Sequence, residues 1–215
     1  MSAEKIAIED VRAALMQETN AQLVSLLKGL QLKVVERSAT NLRLLHDHLQ
    51  DVTLLADILD DARTSADADA ALNFLERCMG SIDPQEFRAV LNTAARRRQL
   101  LTVLGGSAFL AGLFCRDGDC FNRLFLQQRI DCPSSEADMI TALRQRVDPT
   151  APFEALKREL RVFKREQILR IGSRDLCGMA SLEEVTAELS SLAAAALQVA
   201  YEVCSVLLQK DYGEP

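Results

Sequence analysis

The pattern of apolar and polar positions along this chain is helical almost everywhere. Apolar residues recur three and four positions apart, and almost no run alternates with the period of two that a half-buried strand shows. The pattern therefore predicts an all-α fold, a multi-helix bundle. Helices are expected at about 3–18, from Asn20 onward, and at about 40–60, 83–104, 107–116, 120–128, 134–147, 151–176 and 181–212. A further helix is expected to carry Leu72, Phe74 and Leu75.

Local capping signals indicate where several helices begin. The segment Asp83-Pro-Gln-Glu86 combines an N-cap acceptor, a proline at the first helical position and a carboxylate three residues after the cap. Ser181 and Glu184 predict a capping box for the last helix. Because Gly178 ends the helix before it, the two long C-terminal helices are expected to join at a glycine hinge.

The last helix carries two apolar rows. The first row has the spacing of bundle and coiled-coil helices and consists of Leu182, Val185, Leu189, Leu192, Ala196, Val199, Val203 and Val206. The second row, in the C-terminal half, consists of Leu197, Tyr201, Cys204 and Leu208. A helix with two apolar faces needs two partners. One is expected to be the helical bundle, and the second is either a domain outside this chain or further burial within it.

Loops divide the chain into three predicted segments. These are an N-terminal helical segment at 1–62, a helical bundle segment at 70–150 and a long-helix pair at 151–215. The polar stretch at 61–69 separates the first two, and Asp148-Pro-Thr150 separates the last two. One continuous domain is the alternative.

Composition narrows the function classes. The chain has 215 residues, a formal net charge of −6 and a pI of about 5.1, whereas a nucleic-acid binder normally carries a basic excess. The N-terminus lacks the basic-then-apolar pattern of a signal peptide, and the most apolar stretch is interrupted by Gln198 and Glu202. We therefore expect a cytoplasmic protein without a nucleic-acid or membrane partner.

Cysteine and histidine content offers little support for covalent or metal chemistry. The six cysteines include no Cys-x-x-Cys pair and favour reduced core thiols over a disulfide framework. The two histidines, His46 and His48, point to nearly opposite sides of a helix and cannot share a metal ion. We assign no catalytic, cofactor-binding or metal-binding residue to this chain.

One stretch imitates a nucleotidyltransferase signature. Nine residues separate Gly106-Ser107 from Asp117-Gly-Asp119, a spacing at which a glycine-serine turn can hold triphosphate while two carboxylates hold magnesium. In such a site the aspartates lie on a strand with apolar residues beside them, whereas here glycine separates them and 108–114 has a helical pattern. We therefore interpret Ser107 as a helix N-cap and the Asp-Gly-Asp segment as a tight loop.

The helix at about 151–176 has an unusual charge pattern. Between positions 157 and 174 it carries seven lysines and arginines against two glutamates, in a chain that is acidic overall. One stripe, which a solvated amphipathic helix also explains, consists of Arg158, Arg161 and Arg165. Arg170 and Arg174 lie among apolar residues and should have partners there.

Carboxylates near the glycine hinge are the candidate partners of these two arginines. They are Asp175, Glu183, Glu184 and Glu188. Such a network would fix the hinge and orient a following domain. Arg96-Arg-Arg98, in contrast, fans out by about 100° per residue and is expected to be a solvated face near a helix C-terminus. The full set of docking candidates is Arg165, Glu166, Arg170, Arg174, Asp175, Glu184, Glu188 and Tyr201.

The last quarter of the chain also resembles a known family. It reads Arg161-Val-Phe-Lys-Arg-Glu-Gln-Ile-Leu-Arg-Ile-Gly-Ser-Arg-Asp-Leu-Cys-Gly178, then Ser181-Leu-Glu-Glu-Val-Thr-Ala-Glu-Leu-Ser190, and it closes with Tyr212-Gly-Glu-Pro215. This resembles the segment that leads into each nucleotidyltransferase domain of the glutamine synthetase adenylyltransferase (adenylyl-removase) family. The segment Leu101-Thr-Val-Leu-Gly-Gly-Ser-Ala-Phe-Leu110 resembles a non-catalytic helix pair of the same family. Gly172 and Ser173 depart from the bulkier residues that the family usually has there.

The resemblance implies a function for a larger protein. Members of this family have two nucleotidyltransferase halves, one removing AMP from a glutamine synthetase tyrosine by phosphorolysis and one attaching AMP from ATP. The catalytic domain would follow this segment, so ATP and magnesium are expected to bind there and not in this chain. Because the chain begins with Met1, it resembles the leader of the N-terminal, deadenylylating half. Glutamine synthetase and the regulatory PII protein are the partners that the resemblance implies.

Together these observations predict a non-catalytic helical region of such an enzyme. In it, Arg165, Arg170, Arg174 and Asp175 dock or orient the downstream nucleotidyltransferase domain. The alternative is a free-standing helical module that binds a partner or forms a homodimer through its last helix. In either case, adenylyl transfer or removal by these residues alone is expected to be undetectable.

Overall fold

A computed structural model describes residues 5–148 and 151–213 of the chain. All regular structure in these ranges is helical, which confirms the prediction of an all-α fold. Contacts divide the chain into two compact units, Met1–Gln127 and Gln128–Pro215, called here the N-terminal unit and the C-terminal unit. This boundary falls inside the segment proposed at 70–150, and the three-segment division stays a prediction.

The N-terminal unit is an array of short helices. They are α1 (Ile8–Leu15), α2 (Ala21–Gly29), α3 (Val35–Leu49), α4 (Val52–Ala62), α5 (Ala68–Cys78), α6 (Pro84–Asn92), α7 (Ala94–Gly106), α8 (Ala108–Phe114) and α9 (Gly118–Phe121). A π-helical turn, Asn122–Leu126, follows α9. Helix α1 is shorter than the predicted 3–18, although positions 3 and 4 lie outside the described residues.

The single helix predicted at 40–60 is wrong, because two helices, α3 and α4, meet there. Gln50 ends α3 with a left-handed backbone, φ +52°, and its N–H donates to the carbonyl of His46. Asp51 then begins α4, since its side chain accepts a hydrogen bond from the Leu54 N–H at 3.0 Å. A break of two residues leaves the apolar periodicity almost intact, so the pattern did not reveal it.

The helix predicted at 83–104 is also two helices. Its start is as expected, because the Asp83 side chain accepts from the backbone of Gln85 at 2.9 Å and of Glu86 at 3.2 Å. Thr93 has an extended backbone, φ −92° and ψ 106°, which ends α6 and lets α7 begin at Ala94.

Four phenylalanines form the aromatic part of the core in the N-terminal unit. Phe87 of α6, Phe114 of α8, Phe121 of α9 and Phe125 of the π-helical turn are all buried. The ring centroids of neighbouring members lie between 5.2 and 6.1 Å apart. Pairs at such distances contribute about 0.5–1.5 kcal/mol beyond the burial of their area. The group therefore holds the shortest helices of the unit against α6.

Arg97 in α7 is buried, so the prediction of a solvated 96–98 face is wrong for its central residue. Its Nε donates to Asp61 at 2.7 Å, its Nη1 donates to the Leu91 carbonyl at 2.8 Å, and its Nη2 lies 3.3 Å from Asp57. The triplet also lies in the first half of its helix and not near a C-terminus. Apolar residues three, four and seven positions later place Arg97 on the inward stripe of α7, and this spacing is the sequence signal for its burial.

In the C-terminal unit, the described residues form three α helices after a 3₁₀ turn, Arg129–Asp131. They are α10 (Glu136–Arg144), α11 (Phe153–Leu176) and α12 (Leu182–Tyr212). Helix α12 packs against both α10 and α11. The buried core between them consists of Met139, Leu143, Val147, Leu156, Phe163, Ile171, Val185, Leu192, Ala195, Val199 and Val203.

The prediction of two long C-terminal helices joined at a glycine is confirmed. Gly178 lies in the link with φ +65°, a left-handed conformation that favours glycine. Ser181 Oγ accepts from the Glu184 N–H at 3.3 Å, and Glu184 Oε2 accepts from the Ser181 N–H at 2.8 Å, which completes the expected capping box. The 31 residues of α12 extend over about 46 Å at 1.5 Å per residue.

Candidate functional site

The stretch that imitates a nucleotidyltransferase signature forms helix caps. Ser107 Oγ accepts from the backbone N–H three residues later at 3.3 Å, as expected, and so does the Asp117 carboxylate, also at 3.3 Å. Gly118 lies against the carbonyl of Ser81, where any Cβ would overlap it. In the part of the chain that the structure describes, no three His, Cys, Asp or Glu side chains are grouped to hold a metal ion.

Among the described residues, the largest group of buried charged side chains lies in the C-terminal unit. Arg170 and Arg174 of α11 and Glu188 of α12 are all buried, and we call them the arginine–glutamate cluster. Arg170 Nη1 lies 2.9 Å from Glu188 Oε1 and 3.2 Å from Oε2, while Arg174 Nε lies 3.8 Å from Oε2. One carboxylate therefore serves two guanidinium groups.

The loop before α10 supplies further partners of the cluster. Arg170 Nη1 donates to the Cys132 carbonyl at 3.0 Å, and Arg174 Nη1 donates to the Ile130 carbonyl at 3.2 Å. The same loop also donates a hydrogen bond, from the Ser134 N–H to Glu188 Oε1 at 2.6 Å. Sequence reasoning missed these groups because every residue has a backbone carbonyl, so they leave no signal. The cluster thus connects α11, α12 and this loop.

Burial determines the electrostatics of the cluster. It lowers the pKa of the Arg170 guanidinium, and the hydrogen bonds to Glu188 oppose that shift. The guanidinium stays charged at any physiological pH. Removing one partner from a buried ion pair costs about 3–5 kcal/mol, because the other charge is left uncompensated. Loss of one member would therefore leave another charge buried without its ionic partner.

The other carboxylates proposed as partners lie elsewhere. Asp175 is exposed on α11, and Glu184 is held in the capping box of α12. Glu183 is exposed in the first turn of α12, where a backbone hydrogen bond lowers the pKa of its carboxyl. Among the predicted partners, the structure brings Glu188 to Arg170 and Arg174.

Two further docking candidates lie on the middle of α11. Glu166 Oε2 is 2.7 Å from Nη1 of Arg146, and the same guanidinium lies over the Phe163 ring, 5.2 Å from its centroid. These contacts hold the chain just after α10 on α11. Arg165, the neighbouring candidate, is half-buried.

The buried face of α12 differs from the predicted first row. It consists of Val185, Glu188, Leu192, Ala195, Val199 and Val203. Leu182, Leu189 and Val206, which belong to the predicted row, are exposed. The helix is rotated so that Glu188 of the arginine–glutamate cluster faces inward in place of Leu189.

The predicted second row of α12 is an exposed apolar surface. Its large side chains are Leu197, Tyr201 and Leu208, and Tyr212, which was not part of the predicted row, continues the surface one turn further. We call these four residues the outer face, and they are 72%, 73%, 57% and 84% exposed in the order of the chain. At 100° per residue, Leu197 points about 160° away from Val199 of the buried face. Cys204, the remaining member of the predicted row, is partly buried against the core, whereas Leu197, Tyr201 and Leu208 stay exposed.

In the described part of the chain, one helix, Leu182–Lys210, is long and apolar enough to cross a membrane by length and composition alone. In the structure this helix packs as a bundle helix, with a buried carboxylate at Glu188. Its polar side also forms an ion pair, in which Arg144 Nε donates to Glu202 Oε2 at 2.9 Å.

Comparison with known proteins links this region to one family. Residues 97–215 match the family model of glutamate-ammonia ligase adenylyltransferase. The bifunctional glutamine synthetase adenylyltransferase/adenylyl-removing enzyme of Shewanella oneidensis is 34% identical over 124 residues, which are 57% of this chain and 13% of that protein. The enzyme of the same name from Streptomyces avermitilis is 31% identical over 159 residues, 72% of this chain and 15% of that protein. The Burkholderia mallei enzyme is 40% identical over 62 residues, 29% of this chain and 7% of that protein.

No solved structure matches the chain. The chain spans about one seventh of the length of the first two relatives. The matched residues include α11, α12 and the whole arginine–glutamate cluster, so the resemblance noted in the last quarter of the sequence is confirmed. Because the family model covers more than half of it, this chain belongs to the glutamate-ammonia ligase adenylyltransferase family.

Proposed function

We propose that this chain is a non-catalytic helical region that positions a nucleotidyltransferase domain in a glutamine synthetase adenylyltransferase. The observation that carries the proposal is the outer face of α12, where four large apolar side chains lie exposed on the side opposite the buried face. A large exposed apolar patch in one place marks an interaction site more often than scattered apolar residues do. The occupant that we infer is the catalytic domain that the family places after this segment.

The arginine–glutamate cluster supports this role by making the helix pair rigid. It holds α11 and α12 together on the N-terminal side of the outer face, through Arg170, Arg174 and Glu188. Each buried ion pair needs its partners in one geometry, so the relative rotation of the two helices is restricted. A docked domain would therefore take its orientation from α11 as well as from α12.

The names of the relatives, adenylyltransferase and adenylyl-removing enzymes of glutamine synthetase, support the activity that we propose for the larger protein. The protein would transfer AMP from ATP to a tyrosine of glutamine synthetase, or remove it by phosphorolysis, and so regulate nitrogen metabolism. ATP and magnesium would bind to the catalytic domain. Glutamine synthetase and PII would be its partners, and the cytoplasm its location.

The first test is to sequence the gene beyond the codon for Pro215. A frame that continues into a Gly-Ser turn and an Asp-x-Asp strand allows the longer protein to be made. In that protein, we expect hydrogen exchange at 197–212 to be slower than in the 215-residue chain, because the outer face would be covered.

Matched variants of the longer protein test the docking itself. The double change Leu197→Asp and Tyr201→Asp should restore fast exchange at 197–212 and lower adenylyl transfer or removal by about tenfold or more, which corresponds to about 1.4 kcal/mol. The control is Leu182→Asp, which changes an equally exposed leucine of the same helix outside the outer face. Equal activity and exchange in the double variant and the control would contradict the proposal.

The alternative is a free-standing module that uses the same outer face to form a homodimer. The exposure of Tyr201 and Tyr212 favours it as much as it favours a docked domain, since tyrosine is enriched at protein interfaces. A stop codon directly after Pro215 would favour this alternative. Analytical ultracentrifugation of the chain would then show a concentration-dependent dimer that the double variant loses and the Leu182→Asp control keeps.

A further inference from the structure

Two cysteines that are distant in sequence meet in the N-terminal unit. Cys78 is the last residue of α5, and Cys115 directly follows α8. Their Sγ atoms lie 3.5 Å apart. None of the six cysteines in the chain is in a disulfide, so this dithiol pair is reduced in the structure.

The two thiols of the pair have different surroundings. Cys78 is fully buried, whereas Cys115 is partly exposed to solvent. The hydrogen bond from Cys78, helped by the positive charges of Arg77 and Arg116 and opposed by burial and by Glu76, lowers the pKa of Cys115 to about 7. The same hydrogen bond and burial raise the pKa of Cys78. One thiol is therefore accessible and partly ionised near neutral pH, and the other is protonated and protected.

This asymmetry is what a peroxide-sensitive dithiol requires. The thiolate is the nucleophile in thiol oxidation, and its reactivity depends on ionisation and access, both of which Cys115 has. A second thiol at van der Waals distance can then displace the oxidised product before further oxidation occurs. In cytosolic proteins, disulfides of this kind are usually transient and redox-sensing.

We propose that Cys78 and Cys115 form a reversible disulfide when the chain meets a hydroperoxide. The Cys115 thiolate attacks one peroxide oxygen, so that an S–O bond forms, the O–O bond breaks and hydroxide leaves. The Cys78 sulfur then attacks the Cys115 sulfur, so that an S–S bond forms, the S–O bond breaks, and the departing hydroxide takes the Cys78 proton as water. Two thiols lose two electrons in total, and the peroxide accepts them.

The geometry requires little movement for this reaction. The sulfurs must approach from 3.5 Å to the disulfide distance of about 2 Å, and α5 already packs against α8. The bond would close a loop that contains α6 and α7, including the buried Arg97. Oxidation would therefore stabilise the N-terminal unit, independently of the docking role proposed for α12.

The test uses the whole chain, reduced and then treated with hydrogen peroxide. After alkylation of the remaining thiols and tryptic digestion, mass spectrometry should find the peptides of Cys78 and Cys115 joined, with the loss of two hydrogens. Dithiothreitol should reverse the joining. The oxidised chain should also melt at a temperature higher by about 4 °C or more, because the cross-link restricts the unfolded state.

Variants separate the two steps. Cys115→Ser should abolish the joined peptides, whereas Cys78→Ala should stop the reaction at a Cys115 sulfenic acid that dimedone traps. Cys132→Ser is the matched control, because Cys132 is exposed but outside the pair, and it should leave the joined peptides unchanged. If a variant folds poorly, the peptides of the wild-type chain still show whether Cys78 and Cys115 form the disulfide. Oxidation of Cys132 while Cys78 and Cys115 stay reduced would overturn the proposal, and so would joined peptides of any other pair.

Discussion

At the scale of single residues, arginine burial in this chain depends on which acceptors packing brings near, and not on local charge density. Arg97 stands between two other arginines, yet it is buried because Asp61, Asp57 and the Leu91 carbonyl surround it. Arg98 beside it is exposed and shares the other oxygen of Asp61 at 3.1 Å. Desolvation of a guanidinium is tolerated only where such acceptors replace water.

Asp61→Ala should therefore lower the free energy of unfolding of the N-terminal unit by about 3 kcal/mol, because Arg97 would stay buried without its closest partner. Urea unfolding followed by circular dichroism measures this change. Arg98→Ala is the control, since an exposed ion pair contributes below about 1 kcal/mol. Equal losses in the two variants would show that Arg97 does not depend on Asp61.

At the scale of elements, α12 shows how one polar residue sets the rotation of a helix. Glu188 occupies the buried face between Val185 and Leu192, whereas the neighbouring Leu189 is exposed. A carboxylate is buried there because two arginines of α11 and the Ser134 N–H all reach it. The ionic contacts of the cluster thus determine which apolar row α12 presents to its own unit and which it leaves outside.

Glu188→Ala should destabilise the C-terminal unit by about 3 kcal/mol, because two buried guanidinium groups would share no carboxylate. Glu184→Ala, one turn earlier on the same helix, should lower the free energy of unfolding by about 1 kcal/mol, because it removes the side chain that completes the capping box with Ser181. Hydrogen exchange of the α11 amides reports the difference. A larger effect from Glu184 than from Glu188 would contradict the assignment of the cluster.

The ion pair between Arg144 of α10 and Glu202 of α12 should make the stability of the protein depend on pH in the acidic range. The hydrogen bonds from Arg144, and then from Gln198, hold the pKa of Glu202 at about 2, below its ordinary value of 4.5. Because the folded-state pKa is the lower one, the stability that this carboxylate contributes is fully present above pH 4.5 and is lost as the pH falls towards 2. Carbon-13 NMR of the side-chain carboxyl measures the titration directly. In Arg144→Gln the pKa should move back towards 4.5, and an unchanged value would exclude Arg144 as the cause.

At the scale of the whole molecule, the chain consists of two units that each bury a core of their own. In the C-terminal unit, α10, α11 and α12 pack around one buried apolar core. All three residues of the arginine–glutamate cluster also belong to this unit. The family match begins at position 97, inside the N-terminal unit, and continues to position 215. Membership in the family thus covers the whole C-terminal unit and part of the N-terminal one.

The fragment 128–215 should fold by itself, because the buried cluster that α10, α11 and α12 share lies within these residues. We expect a helical circular dichroism spectrum and cooperative thermal unfolding for this fragment. Glu188→Ala should lower its melting temperature by about as many degrees as it lowers the transition of the C-terminal unit in the whole chain. A fragment without cooperative unfolding would show that the C-terminal unit depends on the rest of the chain.

The sequence by itself determined the helical class, the capping box at Ser181 and Glu184, the glycine link at Gly178 and the apolar second row of α12. These features are local, since caps, glycine conformations and apolar spacing act within one or two turns of the chain. The same local signals identified Ser107 as a helix cap. For this reason no magnesium site was predicted at 106–119.

Tertiary structure alone decided the hydrogen-bond partners of Arg97, the inward turn of Glu188, the carbonyl partners of the cluster and the meeting of Cys78 with Cys115. Each of these depends on atoms that are brought within about 3–4 Å by packing between distant segments. A residue's own neighbours in sequence cannot reveal such partners, because the stability of a buried polar group is set by the acceptors and donors that replace its water.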